Sequence, residues 1–339
     1  MKDIYELSSE KVVLCAEIGI NHNGDLDTAR ALIAAAAASG FDAVKFQAFR
    51  ARSMYSRFHP GFAHTAVDVI GQMEQLEIKP SWWPLLRSEA RNHGLSFGAS
   101  VFTEEARLDL LDFGLDFVKV ASAELNCIHF VQSQRQLSDV FVISTGMAYL
   151  AEIAALVDNL RRNGTKKIIL LECTTAYPAP AADIRLRNIA YLQRTFNLPA
   201  GFSDHSQGTH MLLAAAALGA RFLEKHFTLD RDQAGPDHSL SANPEEMTQV
   251  IAAIREIEAA LQQEGKDSLS LIEEEERLSG RKSVHVTRDI AAGENFTQEN
   301  TLLKRPGTGI PPLELPLLLG RRAKTAIPAD TCLSWSLVK

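Results

Sequence analysis

The chain has little of what marks secreted, membrane or nucleic-acid-binding proteins. Its four cysteines, Cys15, Cys127, Cys173 and Cys332, lie far apart with no C-x-x-C pair. That spacing argues against a zinc knuckle and suits reduced thiols better than a disulfide framework. No apolar run is long and charge-free enough to span a bilayer. The opening MKDIYELSSEKVVLCAEIGI carries acids before its short apolar run, so it does not read as a secretory leader. The expectation is a cytoplasmic protein with no membrane partner. Positive charge is also in deficit, and a net charge of −7 argues against a nucleic-acid partner. Local lysines can still hold a phosphorylated substrate on an acidic protein.

What is present is a repeated unit. VVLCAEI at 12–18 reads as a buried strand, NHNGD turns the chain, and Asp25 or Asp27 can cap a helix over Ala29–Ser39. Gly40 stops that helix as a left-handed residue, and FDAVKFQ makes the next strand. The same punctuation returns at Gly94, Gly114, Gly164 and Gly219, each before an apolar run, while Ser138-Asp139 and Asn197-Leu-Pro199 introduce two more strands. Eight strand–helix units at this spacing favour an α/β fold of the closed (β/α)8 type, a TIM barrel, over an open doubly wound sheet. The expected domains are a barrel at 1–264, a linker at 265–280 and a small β-rich module at 281–339. The linker reads as charged and irregular, with its four glutamates on a solvated helical face and no catalytic cluster. In the module, SVHVTRDIAAGENFTQENT and RRAKTAIPADTCLSWSLV echo each other, each as strand, turn and short strand. One connection breaks the rhythm: the long stretch at 50–79 leaves the second strand, and its length suggests a lid over the barrel mouth or a helical insertion.

In such a barrel the chemistry lies at the strand ends. Here those ends carry Glu17; Lys45 and Gln47; Ser100; Lys119, Ser122 and Glu124; Ser144; Glu172; Ser203, Asp204 and His205; Lys225 and His226. Lys45 and Lys119 alternate with apolar neighbours, so each should point inward. A buried unpaired lysine is costly, and two of them with serines nearby suggest a bound phosphate. The bland reading pairs each lysine with Glu17, Glu172 or Glu124, and a sharper rival makes one a Schiff-base nucleophile. His205 and His226, with Asp237 in the next loop, make either a divalent-metal site or hydrogen-bonded structural histidines.

The runs AEIGINHNGD, VKFQ, VKVASAE, STGM, CTTAYPAP, GFSDHS, EKHFTLDR and GPDH, in this order, resemble the sialic (nonulosonic) acid synthase family. The C-terminal RKSVHVTRDIAAGE, KRPGTGI and LLGRRAKTAI look like the antifreeze-like (SAF) domain of those synthases. The resemblance implies condensation of phosphoenolpyruvate with an open-chain N-acylated hexosamine, assisted by Mn²⁺ or Mg²⁺. It implies that Lys45, Lys119, Ser100, Ser122, Ser144 and Ser203 hold phosphoenolpyruvate and that His205 and His226 bind the metal. Glu17, Gln47, Tyr177 and Asp237 would then face the sugar or the metal's waters, and Glu124 would orient or deprotonate the attacking water. Arg305 would reach the partner's site in a homodimer with exchanged C-terminal domains. Thr175-Ala176-Tyr177 departs from the Asn-Ile-Tyr of N-acetylneuraminate synthases, which suggests another sugar, such as a 2,4-diacetamido-6-deoxyhexose. The alternatives are a Schiff-base aldolase, a related synthase using a sugar phosphate, and a non-catalytic glycan-binding protein.

Overall fold

A computed structural model of the chain describes residues 2–59, 68–262 and 265–339. Eight parallel strands close in sequence order into a barrel. They are β1 (Val13–Gly19), β2 (Ala43–Ala48), β3 (Ser96–Val101), β4 (Phe117–Val120), β5 (Val140–Ser144), β6 (Lys167–Cys173), β7 (Ala200–Asp204) and β8 (Phe222–His226). Closure is direct, with Val13 of β1 in register with Phe222 of β8. The helix Leu26–Ser39 shows how the sequence punctuates the ring. Asp25 accepts a 2.7 Å bond from the Thr28 amide at its start, and Gly40 ends it with φ of 93°. A side chain at that φ would be strained.

The strands are buried on both faces, so alternate residues serve two different cores. Val13, Cys15, Phe117, Val142, Leu171 and Phe222 fill the lumen, and Ile4 of the first helix joins them. Phe46, Phe97, Val118, Ile143 and Phe202 point outward to the helices. Two inward glycines stand where no side chain would fit, one against a lumen ring and one against strand backbone. A Cβ on Gly98 would lie 2.3 Å from the Phe117 ring, and one on Gly201 would lie 1.9 Å from the Phe222 carbonyl oxygen. The lower lumen is therefore packed solid, and polar side chains occupy only the layers towards the C-terminal ends of the strands.

In the connection at 50–79 the described residues form two short helices, Ala51–Met54 and Val69–Gln75. Met54, Ile70, Met73 and Leu76 pack on a small cluster of Ile20, Phe49 and Ala51, which anchors both ends of the connection to the barrel. Residues 60–67, on which much of the lid reading falls, lie outside the described residues.

The chain divides into two compact units, 1–262 and 263–339. Of the linker expected at 265–280, the helical face of the glutamates is present and the irregularity is corrected: residues Leu271–Gly280 form one helix. Its start has a physical cause, since Ser270 and Glu273 form a reciprocal capping box. The module beyond it holds the antiparallel pair β9 (Ser283–Val286) and β10 (Thr301–Lys304). Its second half does not repeat the first as the echo suggested. It contributes single bridges instead, among them His285 to Cys332 and Ile290 to Ile327. The two halves interlock around Val284, Phe296, Ile310, Ala323 and Leu333.

Candidate active site

Above the apolar layers, inward positions of all eight strands, Cys173 of β6 among them, converge on a cavity of about 200 Å³ at the C-terminal mouth. Glu17 lies on β1, Lys45 and Gln47 on β2, Ser100 on β3 and Lys119 on β4. Ser144 closes β5, Ser203 lies on β7, and His226 ends β8. Ser122 and Tyr177 come from the loops after β4 and β6, and His205 follows β7. Eleven residues expected from the sequence thus share one wall.

The electrostatics differ from the expectation of two unpaired lysines. Lys45 Nζ lies 2.5 Å from Glu17 Oε2 and donates 3.1 Å to Ser100 Oγ. Lys119 Nζ lies 3.3 Å from Glu224 Oε1, which also accepts a 2.9 Å bond from Ser203 Oγ. Lys45 reaches the same Glu224 oxygen at 3.9 Å. The lysines are 2% and 4% exposed, so these pairs are deep in protein. Burial opposes the charged form of Lys45, yet Glu17 and Glu224 hold its pKa above the ordinary value. Burial also opposes ionised Glu224, but Lys119 and Lys45 keep its pKa low. The lysines alone therefore do not demand a bound anion. Glu17 is a partner as weighed; Glu172 is not, because it faces outward and accepts a 2.9 Å bond from Asn188.

Sequence reading missed Glu224. The signal was the inward alternation of Phe222, Glu224 and His226 on β8, which also turns Lys225 away from the lumen. Lys225 pairs at 2.9 Å with Asp204, its buried register partner on β7. Glu124 sits in the turn Ser122–Glu124 and does not line the cavity, although burial raises its pKa. Arg305 is exposed, just past β10 in the second unit.

The imidazoles of His205 and His226 lie with ring centroids 5.5 Å apart, and Tyr177 stacks 4.2 Å from His205 at a tilt of 37°. His205 Nδ1 donates 2.9 Å to the Thr174 carbonyl, which leaves Nε2 as the lone-pair nitrogen of the neutral ring. Burial opposes the imidazolium of His205, but the Cys173 sulfur at 3.8 Å and the Thr174 carbonyl raise its pKa. Burial and the neighbouring His205 push His226 well below the ordinary histidine range. Among the described residues, its Nδ1 and the Ser144 hydroxyl are buried without a hydrogen-bond partner. Asp237 Oδ2 stands 3.5 Å from that Nδ1, and burial with the Glu17 charge pushes its pKa up to about 6. Among the described residues no group of three or more His, Cys, Asp or Glu side chains is gathered closely enough to hold a metal ion. The donors that converge are two imidazoles with a carboxylate close by. Such a set fits a divalent cation that takes its remaining ligands from substrate oxygens and water.

Paired lysines and carboxylates, hydroxyls and imidazoles thus ring one polar mouth at the end of a (β/α)8 barrel where such folds carry their active sites. Residues 32–266 match the NeuB family and residues 281–339 match the SAF domain. The chain belongs to the NeuB family and ends in a SAF domain. It is 38% identical to N,N'-diacetyllegionaminic acid synthase of Campylobacter jejuni, covering 93% of this chain and 96% of that one. It is 33% identical to the Legionella pneumophila protein of the same name, covering 98% and 96%. The crystal structure of spore coat polysaccharide biosynthesis protein SpsE from Bacillus subtilis superposes with a TM-score of 0.66 at 32% identity, covering 97% of this chain and 95% of that one.

Proposed function

We propose that this enzyme condenses phosphoenolpyruvate with an open-chain N-acylated hexosamine, releasing phosphate and a nonulosonic acid. The observation that carries the reading is the ring of Lys45, Lys119 and Glu224 beneath His205 and His226, in a chain of the NeuB family. The acceptor favoured is a 2,4-diacetamido-6-deoxyhexose leading to a legionaminic-type acid, in line with the names of the relatives at 38% and 33% identity.

Lys45 and Lys119 would take the phosphate and carboxylate of phosphoenolpyruvate, with Ser100, Ser122, Ser144 and Ser203 donating hydroxyls. Ser144 has no competing bond to break. His205 and His226 would hold Mn²⁺ or Mg²⁺, which when bound polarises the acceptor's aldehyde. Carbon C3 of phosphoenolpyruvate forms the new bond to the aldehyde carbon, whose oxygen takes a proton. Water adds at C2, and phosphate leaves with the bridging oxygen. Asp237, 3.5 Å from His226, and Glu17, the register partner of His226 on β1, are assigned to orient the sugar and the water. Glu124 would serve that role only from outside the cavity lining. Lys45 is held protonated by two carboxylates, which opposes an imine there. The functional unit is proposed to be a homodimer in which Arg305 of one chain reaches the acyl group bound by the other.

The test is phosphate release from phosphoenolpyruvate and Mn²⁺ across a panel of acylated hexosamines. Release with the diacetamido sugar, abolished by chelator and restored by Mn²⁺, is expected. Full activity in excess chelator contradicts the metal assignment, and no release with any sugar contradicts the function.

A further inference from the structure

The NHNG motif after β1 does not face the cavity. Asn21 is buried and its Nδ2 donates 2.9 Å to the Phe227 carbonyl and 2.9 Å to Ser241 Oγ. Ser241 Oγ in turn donates 2.6 Å to the backbone carbonyl of Asp237. Two residues on, Asn23 Nδ2 donates 3.1 Å to the Ala234 carbonyl, and its Oδ1 lies 3.2 Å from His238 Nε2. The other nitrogen of buried His238 lies 2.7 Å from Thr228 Oγ1. These bonds run from one strand end to the loop that follows β8, more than two hundred residues later. The fit is close: a Cβ on Gly235 would fall 2.6 Å from the His238 ring and 3.0 Å from Asn23 Oδ1.

We propose that Asn21, Asn23, Ser241 and His238 are positioning residues, a clasp that sets the 228–241 loop and thereby holds Asp237 beside His226. None of the four touches the cavity. The loop segment 232–236 is exposed and contributes nothing to the apolar cores, so these polar bonds are what fixes it. Asn23 also has φ of 50°, a conformation asparagine tolerates better than most residues, so the motif supplies both the turn and the hydrogen bonds. The inference rests on the assignment of Asp237 to the acceptor sugar.

Two variants test it without disturbing the barrel. Asn23→Gly keeps the positive φ and removes the side chain; Ser241→Ala removes the bond to the Asp237 carbonyl. Each should speed amide hydrogen exchange across 229–240 while leaving β1 and β8 protected. Each should raise the acceptor KM about tenfold, the value of one or two lost hydrogen bonds, with the phosphoenolpyruvate KM unchanged. Asn23→Asp, which keeps the acceptor for His238, should recover part of the exchange protection. Unchanged exchange in the loop overturns the clasp. Faster exchange with an unchanged acceptor KM, or a parallel rise in both KM values, overturns the positioning role. A chain that turns over no sugar would defeat the functional reading, while the exchange arm would still decide whether the clasp holds the loop.

Discussion

Glu224 and Lys119 face each other across the lumen at 3.3 Å, both almost wholly buried. Removing the carboxylate charge leaves an ammonium with no matching partner in a low-dielectric site. Glu224→Gln should lower the unfolding free energy by about 3–5 kcal/mol, the usual loss when one member of a buried pair is removed. Phosphate or phosphoenolpyruvate should restore part of that stability by supplying the missing anion. Urea unfolding measures both effects, and a loss below about 0.5 kcal/mol, the size of an ordinary surface change, would speak against the pairing.

Lys119→Ala should weaken phosphoenolpyruvate binding by about 2–5 kcal/mol, the range for truncating a buried charge partner. The acceptor KM should hardly move. Steady-state kinetics with each substrate varied in turn checks the split. Borohydride trapping of pyruvate on the unmodified enzyme at Lys119 would instead support an imine mechanism.

The barrel was legible because its cues are local. Gly40, Gly94, Gly114, Gly164 and Gly219 all take positive φ as the helix-stop reading requires. Inward alternation on β2 and β4 placed Lys45 and Lys119 correctly. The partner carboxylate was not legible from those strands, because Glu224 meets Lys119 only through ring closure and not through neighbouring registers. Glu124 was misplaced relative to the cavity because a one-turn helix after β4 breaks the alternation that would have aimed it inward. The glutamates of 273–276 do lie on a helix, 271–280, and the capping box of Ser270 and Glu273 marks where it starts.

His22 gives the acid limb of stability a specific source. Its Nδ1 accepts 3.1 Å from the Gly24 amide, its Nε2 has no hydrogen-bond partner among the described residues, and Phe46 and Trp82 crowd the ring. Burial pushes its pKa down to about 4. The folded state therefore holds the neutral ring, while the unfolded chain takes a proton below about pH 6.5. Stability is unaffected above that pH and falls as pH drops from about 6.5 to 4, by about 3 kcal/mol in all. His22→Gln should flatten the pH dependence of unfolding across this window. An unchanged slope would place the acid sensitivity elsewhere.

The dimer can be tested by complementation. Arg305→Ala and His226→Ala chains should each be inactive alone. After random subunit exchange, about half the dimers are hybrids with one intact site, so about a quarter of full activity should return. No recovery despite demonstrated exchange would place Arg305 in its own chain's site or outside catalysis.

The most direct test of the condensation is the fate of the bridging oxygen. Phosphoenolpyruvate labelled with ¹⁸O at the C2–O–P position is turned over with the diacetamido hexosamine and Mn²⁺, and both products are weighed by mass spectrometry. One labelled phosphate is expected for each sugar extended by three carbons, with no label in the new acid. Label retained in the sugar product, or labelled pyruvate appearing without any extended sugar, would contradict the condensation.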